Sequence, residues 1–191
     1  MYPLNKVALY YRPHRQTNFI LFLPILDYVN LKCHVLENDE KFMEKWTLSQ
    51  EINVQSALKT ANKVWSDDTL IDDYLAQAPL SDENRDIVSS WKKHISGKFI
   101  LERHLKKGSI FINLDDEKVY LVKGLNSTWS EMLDGMPRPI LLNATLLPWK
   151  DVIISDGLVA LTPVYFGKGY STEFKEIYMN AKHHSAIFNS L

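Results

Sequence analysis

Apolar residues in the first half of the chain recur at helical spacing. Between residues 17 and 36 they fall on nearly every face, which is typical of a helix surrounded by protein. Ser49 offers an N-cap oxygen for a second helix that continues to Trp65, with apolar positions three or four residues apart. Shorter helices are predicted over residues 69–78 and 81–96, because a proline and a glycine follow them as stop signals. The pattern therefore predicts a helical N-terminal region.

After Gly97 the period changes from helical spacing to the two-residue alternation of strands. Stretches rich in Ile, Val, Phe, Leu and Tyr are separated by turn residues, which predicts five antiparallel strands in meander order. These predicted strands cover residues 108–114, 117–124, 140–147, 152–155 and 158–166. A last helix follows. Its residues Phe174, Ile177, Tyr178 and Ala181 share one face and are expected to cover an open side of the sheet.

The predicted fold class is α+β, with a helical N-terminal half packed on a small antiparallel five-stranded sheet or barrel and with a C-terminal covering helix. The helical region covers residues 1–96 and the β region covers residues 97–191. No repeat, low-complexity run or glycine-serine linker separates them, so one shared core is compatible with the pattern. We therefore expect a change of architecture near Gly97 rather than a flexible joint.

The composition favours a packed protein of average polarity. Of the 191 residues, 46% are hydrophobic and 24% are charged, and the net charge of −1 gives the whole chain no long-range attraction for nucleic acid or anionic membranes. The N-terminus lacks the basic-then-apolar order of a secretory signal, and the most apolar stretch, residues 19–29, is shorter than the ~20 residues of a membrane helix. A single cysteine, Cys33, excludes an internal disulfide and a multi-thiolate zinc site. We expect a soluble cytoplasmic protein without a membrane partner.

Several stretches of the C-terminal half carry a family resemblance. They are residues 118–125, the pair Met136-Pro137, residues 146–158, the pair Phe166-Gly167 and residues 178–182. With these stretches the chain resembles a family of uncharacterised bacterial proteins found mainly in Gram-positive bacteria. The resemblance implies a cytoplasmic bacterial protein, and it implies no activity, substrate or catalytic residue.

Two pairs of aspartates raise the question of a metal site. Asp67, Asp68, Asp72 and Asp73 form a DDxxxDD pattern, and carboxylates four apart on a helix could jointly hold Mg²⁺. Prenyl-transferring enzymes use aspartate-rich motifs of this kind, but they need a second acidic motif, which this sequence lacks. Acids are also typical of helix starts, so a solvated first turn is the favoured interpretation. A metal-dependent enzyme is kept as an alternative, and no cofactor is predicted.

The charges of two neighbouring segments are segregated. Residues 66–86 carry a net charge of −6, and residues 92–107 carry a net charge of +5. The bases of the second segment are Lys92, Lys93, Lys98, Arg103, Lys106 and Lys107. They predict a basic ridge that contacts phosphates or an acidic protein. The favoured alternative is that the two segments neutralise each other or line solvated faces.

Other chemistry-bearing residues favour structural interpretations. Cys33 and His34 are neighbours on a predicted helix and do not face each other, and His183 and His184 suit a helix C-terminus. The sequence contains no Gly-x-Ser-x-Gly elbow, Walker loop, Gly-x-Gly-x-x-Gly turn or His-Glu-x-x-His helix. The hydrolase, nucleotide-binding and zinc-protease classes that these motifs mark are therefore not indicated.

Trp149 is predicted to lie in a turn between strands, within Pro148-Trp149-Lys150-Asp151. The ring either folds back as a plug on the end of a barrel or stays exposed as a binding anchor. Burial is the favoured interpretation, and truncation of a buried Trp to Ala would cost about 3–5 kcal/mol.

Taken with a small sheet, the lack of a catalytic constellation favours a non-enzymatic binding module. The β region would present a surface to a protein or peptide partner. The candidate binding residues are the six bases of the basic segment and Trp149. The alternatives are the metal-dependent enzyme and a nucleic-acid-binding regulator that uses the basic segment, and homo-oligomer formation is left open.

Overall fold

A computed structural model describes residues 7–9, 17–38, 41–49, 52–124 and 127–191. The chain divides into two compact units. A helical unit comprises Pro13–His94, and a sheet unit comprises Met1–Arg12 together with Ile95–Leu191. The prediction of a helical region 1–96 and a β region 97–191 that share a core stays a prediction.

The helical unit contains five helices among its described residues. They are α1 (Thr17–Cys33), α2 (Phe42–Ser49), α3 (Val54–Trp65), α4 (Thr69–Gln77) and α5 (Asp82–Ser90), and a 3-10 turn follows at Trp91–Lys93. Helix α1 keeps Pro24 in its interior. Across all the described ranges, no helix combines the length and the apolar composition that crossing a bilayer requires.

Aromatic rings from several helices pack together in the core of the helical unit. The Phe22 ring of α1 stacks on the Trp65 ring of α3 with centroids 5.3 Å apart, and it meets the edge of the Trp91 ring at 6.0 Å. Phe22 and Trp91 are buried. Such offset and edge contacts add to the hydrophobic gain of burying the rings. Apolar residues that the sequence places in the first helix and in the helix ending at Trp65 therefore meet in one place.

Side-chain caps, rather than apolar spacing, set the helix ends. Asn53 caps α3, because its Oδ1 accepts from the backbone N–H groups of Gln55 and Ser56 at 3.0 and 3.1 Å. The predicted cap, Ser49, instead ends α2, a helix that the apolar pattern did not predict. Asp27 of α1 accepts from the first N–H groups of α2, those of Phe42 and Met43. A carboxylate there satisfies donors that a helix start leaves unpaired.

The sheet unit holds eight strands and two helices among its described residues. The strands are β1 (Val7–Leu9), β2 (Ile95–Leu105), β3 (Gly108–Asn113), β4 (Val119–Val122), β5 (Ile140–Trp149), β6 (Val152–Ser155), β7 (Leu158–Thr162) and β8 (Ile187–Phe188). The helices are α6 (Trp129–Met132) and α7 (Lys168–His183). The predicted helix over residues 81–96 is therefore too long, because the chain turns into β2 at Ile95.

The α+β class is confirmed, but the predicted five-stranded antiparallel meander is wrong. Seven strands follow the order β1-β7-β5-β2-β3-β4-β6, and β8 pairs with β4. The sheet is mixed, since β4 runs parallel to β6 and to β8. The order of helices and strands also differs from the prediction, because β1 precedes all the helices and β2 lies between β3 and β5.

An extra pairing of β5 with β6 makes the sheet ring-like. The path β5-β2-β3-β4-β6 returns to β5, and the contact of β4 with β6 consists of one residue pair, Val122 with Ile153. One parallel bridge does not make the continuous hydrogen-bonded wall that a barrel needs. The ring is therefore not a barrel, and the predicted barrel alternative is wrong.

The two faces of the ring bury different residues. The inner face collects side chains from five strands of the ring and from α6, among them Phe99, Phe111, Tyr120, Trp129 and Leu146. The outer face of β2, β3 and β4 is covered by α7, whose Phe174 and Tyr178 are buried against Ile100, Ile110, Ile112 and Val119. The predicted covering role of the last helix agrees with this packing.

Gly108 provides a test of the strand packing. A Cβ added there would lie 2.8 Å from the carbonyl oxygen of Val122, and the φ of Gly108 is +153°. Gly108→Ala is therefore expected to lower the free energy of unfolding by about 1–3 kcal/mol, measured by urea titration. Gly169→Ala in α7 is the control, because an added Cβ there meets nothing within 4 Å. Alanine at this helical position should raise the free energy of unfolding by up to about 1 kcal/mol. Equal losses of stability in Gly108→Ala and Gly169→Ala would contradict the expected clash at Gly108.

Candidate functional site

The second aspartate pair of the DDxxxDD pattern is engaged in ion pairs within the helical unit. Asp72 Oδ1 accepts from Lys92 Nζ at 2.7 Å, and Asp73 pairs with the ammonium of Lys32. Lys92 belongs to the basic segment and Asp72 to the acidic one. At this point the two segments therefore neutralise each other, as the favoured alternative expects.

The first pair organises the start of α4. Asp67 accepts from the hydroxyl and the backbone N–H of Thr69 at 2.6 and 3.3 Å, and the hydrogen bond from the hydroxyl lowers the pKa of the Asp67 carboxyl. Asp68 lies 3.8 Å from the Nδ1 of His94. Within the described ranges, no three His, Cys, Asp or Glu side chains converge as a set that could hold a metal ion.

The six bases of the basic segment are divided between the two units, and the predicted ridge stays a prediction. Lys92 and Lys93 belong to the helical unit, and Lys98, Arg103, Lys106 and Lys107 belong to the sheet unit. Lys93 and Lys98 are exposed. Lys106 and Lys107 are also exposed and form the turn between β2 and β3.

Arg103 has two partners on the outer face of the sheet. Its Nη2 donates to Glu102 Oε1 at 2.8 Å, and its guanidinium carbon lies 4.4 Å from the centroid of the Tyr178 ring in α7. A guanidinium over a ring face is favourable because of the ring quadrupole. This base therefore helps to hold α7 on the sheet.

Trp149 is neither fully buried nor fully exposed. It is the last residue of β5 and pairs with Val152, so the turn begins at Lys150 rather than at Trp149. The aromatic residue that fills the inner face of the ring is instead Trp129, which is 3% exposed and meets the Phe111 ring edge-on at 5.0 Å. A Thr128–Glu131 capping box fixes the short helix that carries it.

An exposed aromatic group lies where β7 leads into α7. We call Val164, Tyr165, Phe166, Tyr170 and Phe174 the α7 aromatic surface. Tyr165 is 82% exposed and Tyr170 is 61% exposed, and Val164 is also exposed. The Phe166 ring meets Phe174 edge-on at 5.2 Å and Tyr170 at 6.1 Å. Because Phe174 is buried in the core of the outer face, the Phe166 and Tyr170 rings pack against a side chain that is held in place.

Sequence reasoning missed this surface because it assigned residues 158–166 to a strand. The strand β7 ends at Thr162, and the next residue is Pro163. Proline has no N–H to donate to a sheet, so the apolar residues after it leave the sheet. Pro163 is the sequence signal that would have ended the predicted strand before Val164, Tyr165 and Phe166.

A histidine and a serine meet on the inner face of the ring. His104 of β2 lies opposite Ser109 of β3, and the distance between His104 Nδ1 and Ser109 Oγ is 2.7 Å. Ser109 is 2% exposed. Burial, and secondarily the charge of Arg138, lower the pKa of the His104 ring. The pair resembles a nucleophile with its base, but a hydroxyl this deeply buried is not accessible to a substrate in this conformation.

Comparisons with protein-family models, with curated proteins and with solved structures find nothing that matches this chain. The resemblance to a bacterial family therefore stays a prediction.

The position of Trp149 predicts a moderate cost of truncation. Because the ring is half-buried at a strand end, Trp149→Ala is expected to lower the free energy of unfolding by about 1–3 kcal/mol, less than loss of a core aromatic. Urea titration of this variant beside Trp129→Ala measures the difference. Trp129→Ala should lower the free energy of unfolding by more than Trp149→Ala does. A larger loss for Trp149→Ala would mean that Trp149, and not Trp129, is the aromatic residue that fills the ring.

The lowered pKa of His104 predicts how stability changes with pH. The folded state holds the imidazole proton less tightly than the unfolded chain, whose histidine titrates near 6.5. Below that pH the unfolded state takes up the proton first, so the free energy of unfolding falls as the pH falls. His104→Gln should flatten this part of the profile in urea titrations at a series of pH values. His183→Gln, at an exposed position of α7, is the control, and identical profiles for both variants would contradict the prediction.

Proposed function

We propose that the protein is a non-enzymatic binding module and that the α7 aromatic surface is its contact site for a protein or peptide segment with an apolar anchor. The observation that carries the proposal is the exposure of Tyr165 and Tyr170, 82% and 61%, next to Phe166 and Phe174. Single exposed apolar residues are ordinary on protein surfaces, whereas contiguous groups of them are typical of interaction sites.

The rings of this surface suit recognition for two physical reasons. Tyr170 stacks on the buried Phe174 with centroids 6.4 Å apart and an interplanar angle of 23°, so part of its motion is already restricted. A side chain ordered before binding loses less conformational entropy when a partner docks. Tyrosine also offers an apolar ring together with a hydroxyl, a combination enriched among residues that dominate binding energy.

The charges around the surface are mixed. Lys168, Lys175, Glu173 and Glu176 are exposed along α7, and both signs alternate within two turns. Such a rim gives no strong field of one sign, so long-range attraction of a polyanion is not favoured here. A partner held by apolar contacts with a polar rim fits this arrangement better, as in many protein interfaces.

The two alternatives have less support from the positions of their residues. A metal at Asp72 and Asp73 would have to displace the ammonium groups of Lys92 and Lys32. A nucleic-acid site in the basic segment would rest on its exposed bases, Lys93, Lys98, Lys106 and Lys107, since Lys92 and Arg103 already hold partners. Both alternatives stay predictions.

Selection of peptides tests the proposal without knowledge of the natural partner. A random peptide library is selected against the wild-type protein alone, and the enriched peptides are then measured against the double variant Tyr165→Ser, Tyr170→Ser. Enriched peptides should carry aromatic or aliphatic anchors and lose at least about tenfold in affinity for the double variant, as expected for loss of one or two anchor contacts. Binding is measured by fluorescence anisotropy with labelled peptides.

The control is Leu31→Ser, Leu48→Ser, a double variant at two exposed apolar positions of the helical unit. It removes comparable apolar exposure and should leave peptide affinity unchanged. Thermal melts establish that both double variants fold. Peptides that bind the tyrosine double variant as tightly as the wild type would place the contact elsewhere and overturn the proposal.

A further inference from the structure

One edge of β4 is covered in part by residues 186–191, which we call the β8 segment. Strand β8 pairs with β4 in parallel through two residue pairs, Val119 with Ile187 and Tyr120 with Phe188. Farther along the same edge, β6 meets β4 through one further residue pair. The seam between β4 and β6 is therefore closed in part by a strand of two residues.

Apolar side chains hold the β8 segment on the sheet. Ile187 packs with the core of the outer face, and Leu191 packs with the core of the inner face. The Phe188 ring lies 5.4 Å from the Tyr120 ring, centroid to centroid, and it remains 43% exposed. Burial of these side chains is the main favourable term, because a few backbone hydrogen bonds contribute little net stability. The site on β4 is therefore complementary to the apolar residues of this segment.

The chain reaches β8 through a sharp reversal at the end of α7. The N–H groups of Ser185 and Ala186 donate to the carbonyls of Lys182 and Ala181 at 3.3 and 2.8 Å. This pair of hydrogen bonds is the Schellman motif, in which the residue after the helix cap is left-handed and is usually glycine. Ser185 occupies that position with a φ of +54°. A side chain there disfavours the reversal by about fivefold relative to glycine.

The hinge between α7 and β8 consists of residues 184–186. All three are exposed, so burial does not hold the reversal in place. A short hinge under strain favours the exchange of a segment between identical chains. When the hinge straightens, the β8 segment leaves its own β4 and Ser185 leaves its left-handed conformation. A second copy of the chain offers the same site on β4, so the exchanged segment regains its contacts there.

We propose that the protein forms a two-fold symmetric dimer in which each copy places its β8 segment on β4 of the other copy. The closed monomer is favoured because a short linker holds the segment near its own β4 at a millimolar effective concentration. The dimer is favoured because it relieves two left-handed Ser185 residues, which together lower its dissociation constant about 25-fold below that concentration. The proposal concerns the edge of β4 and does not depend on the proposed function of the α7 aromatic surface.

Two substitutions of Ser185 test the hinge, because they should shift the dimerisation equilibrium in opposite directions. Ser185→Gly adopts the left-handed φ without a side-chain penalty and should weaken dimerisation by about 25-fold. Ser185→Pro fixes φ at about −65° and removes the N–H that bonds to Lys182, so it should strengthen dimerisation by at least about tenfold. Lys150→Gly is the control, because it relieves a left-handed residue with a φ of +55° outside the hinge and should leave dimerisation unchanged. Each protein is refolded from urea over a range of concentrations and measured by sedimentation equilibrium.

Disulfide formation between copies identifies the exchanged segment. Val119 and Ile187 are paired residues and both pack with the core of the outer face, so cysteines at these positions can form a disulfide. Chains with Val119→Cys are mixed with chains with Ile187→Cys, both with Cys33→Ser, and are refolded together and oxidised. Exchange brings the two cysteines together and should give a disulfide-linked heterodimer. In the control mixture, Lys98→Cys at an exposed position of β2 replaces Val119→Cys and measures random collision.

Three outcomes overturn the proposal. The first is a wild-type protein that stays monomeric at about 1 mM after refolding, since that is the range of the effective concentration. The second is equal dimerisation of the wild type and Ser185→Gly, a variant that keeps the contacts of the fold and therefore tests the hinge even when Ser185→Pro folds poorly. The third is a heterodimer yield no higher than that of the Lys98→Cys mixture, which would mean that the copies do not exchange the β8 segment.

Discussion

A single β-bulge in β2 determines which side chains of this strand project from each face of the sheet. Leu101 pairs with Phe111, but Arg103 pairs with Ile110, so two steps along β2 match one step along β3. In a regular strand, Leu101 and Arg103 would project from the same face. The bulge reverses the alternation, sends Arg103 to the outer face beneath α7 and turns His104 to the inner face beside Ser109. The stacking of Arg103 on Tyr178 and the contact of His104 with Ser109 both depend on it.

The two faces of the sheet differ in the groups that they present. On the outer side, α7 buries Phe174 and Tyr178 and leaves Tyr170 exposed on top of them. Apolar contact with a large partner is what such a surface provides. On the inner side, Nε2 of His104 and Nε1 of Trp129 are buried and have no hydrogen-bond partner among the described residues. Exposed rings suit contact with a macromolecule.

The charge segregation of the sequence has a structural explanation. Asp72 holds Lys92 and Asp73 holds Lys32, so part of the acidic segment is matched by bases from other helices of the same unit. Arg85, the one base of the acidic segment, donates to the carbonyls of Leu75 and Ala78 at the end of α4. These carbonyls have no partner within the helix, and a guanidinium there is favourable to the helix dipole. Several charges of the two segments, those of Asp72, Asp73, Arg85 and Lys92, are thus engaged in local capping and pairing.

The α+β class, the apolar faces of α3 and α7 and the stops of several helices can be predicted from the sequence alone. These features depend on residues close together in the chain, such as the cap at Ser81 and the shared face of Phe174 and Tyr178. Strand order, the parallel pairings and the ring depend on contacts between residues far apart, and many pairings satisfy the same alternation. The same limit applies to the sites. Trp129 and Tyr170 are both aromatic residues beside turns, yet Trp129 is buried and Tyr170 is exposed. The sequence does not distinguish the two rings, because burial depends on which elements pack around a ring in the folded chain.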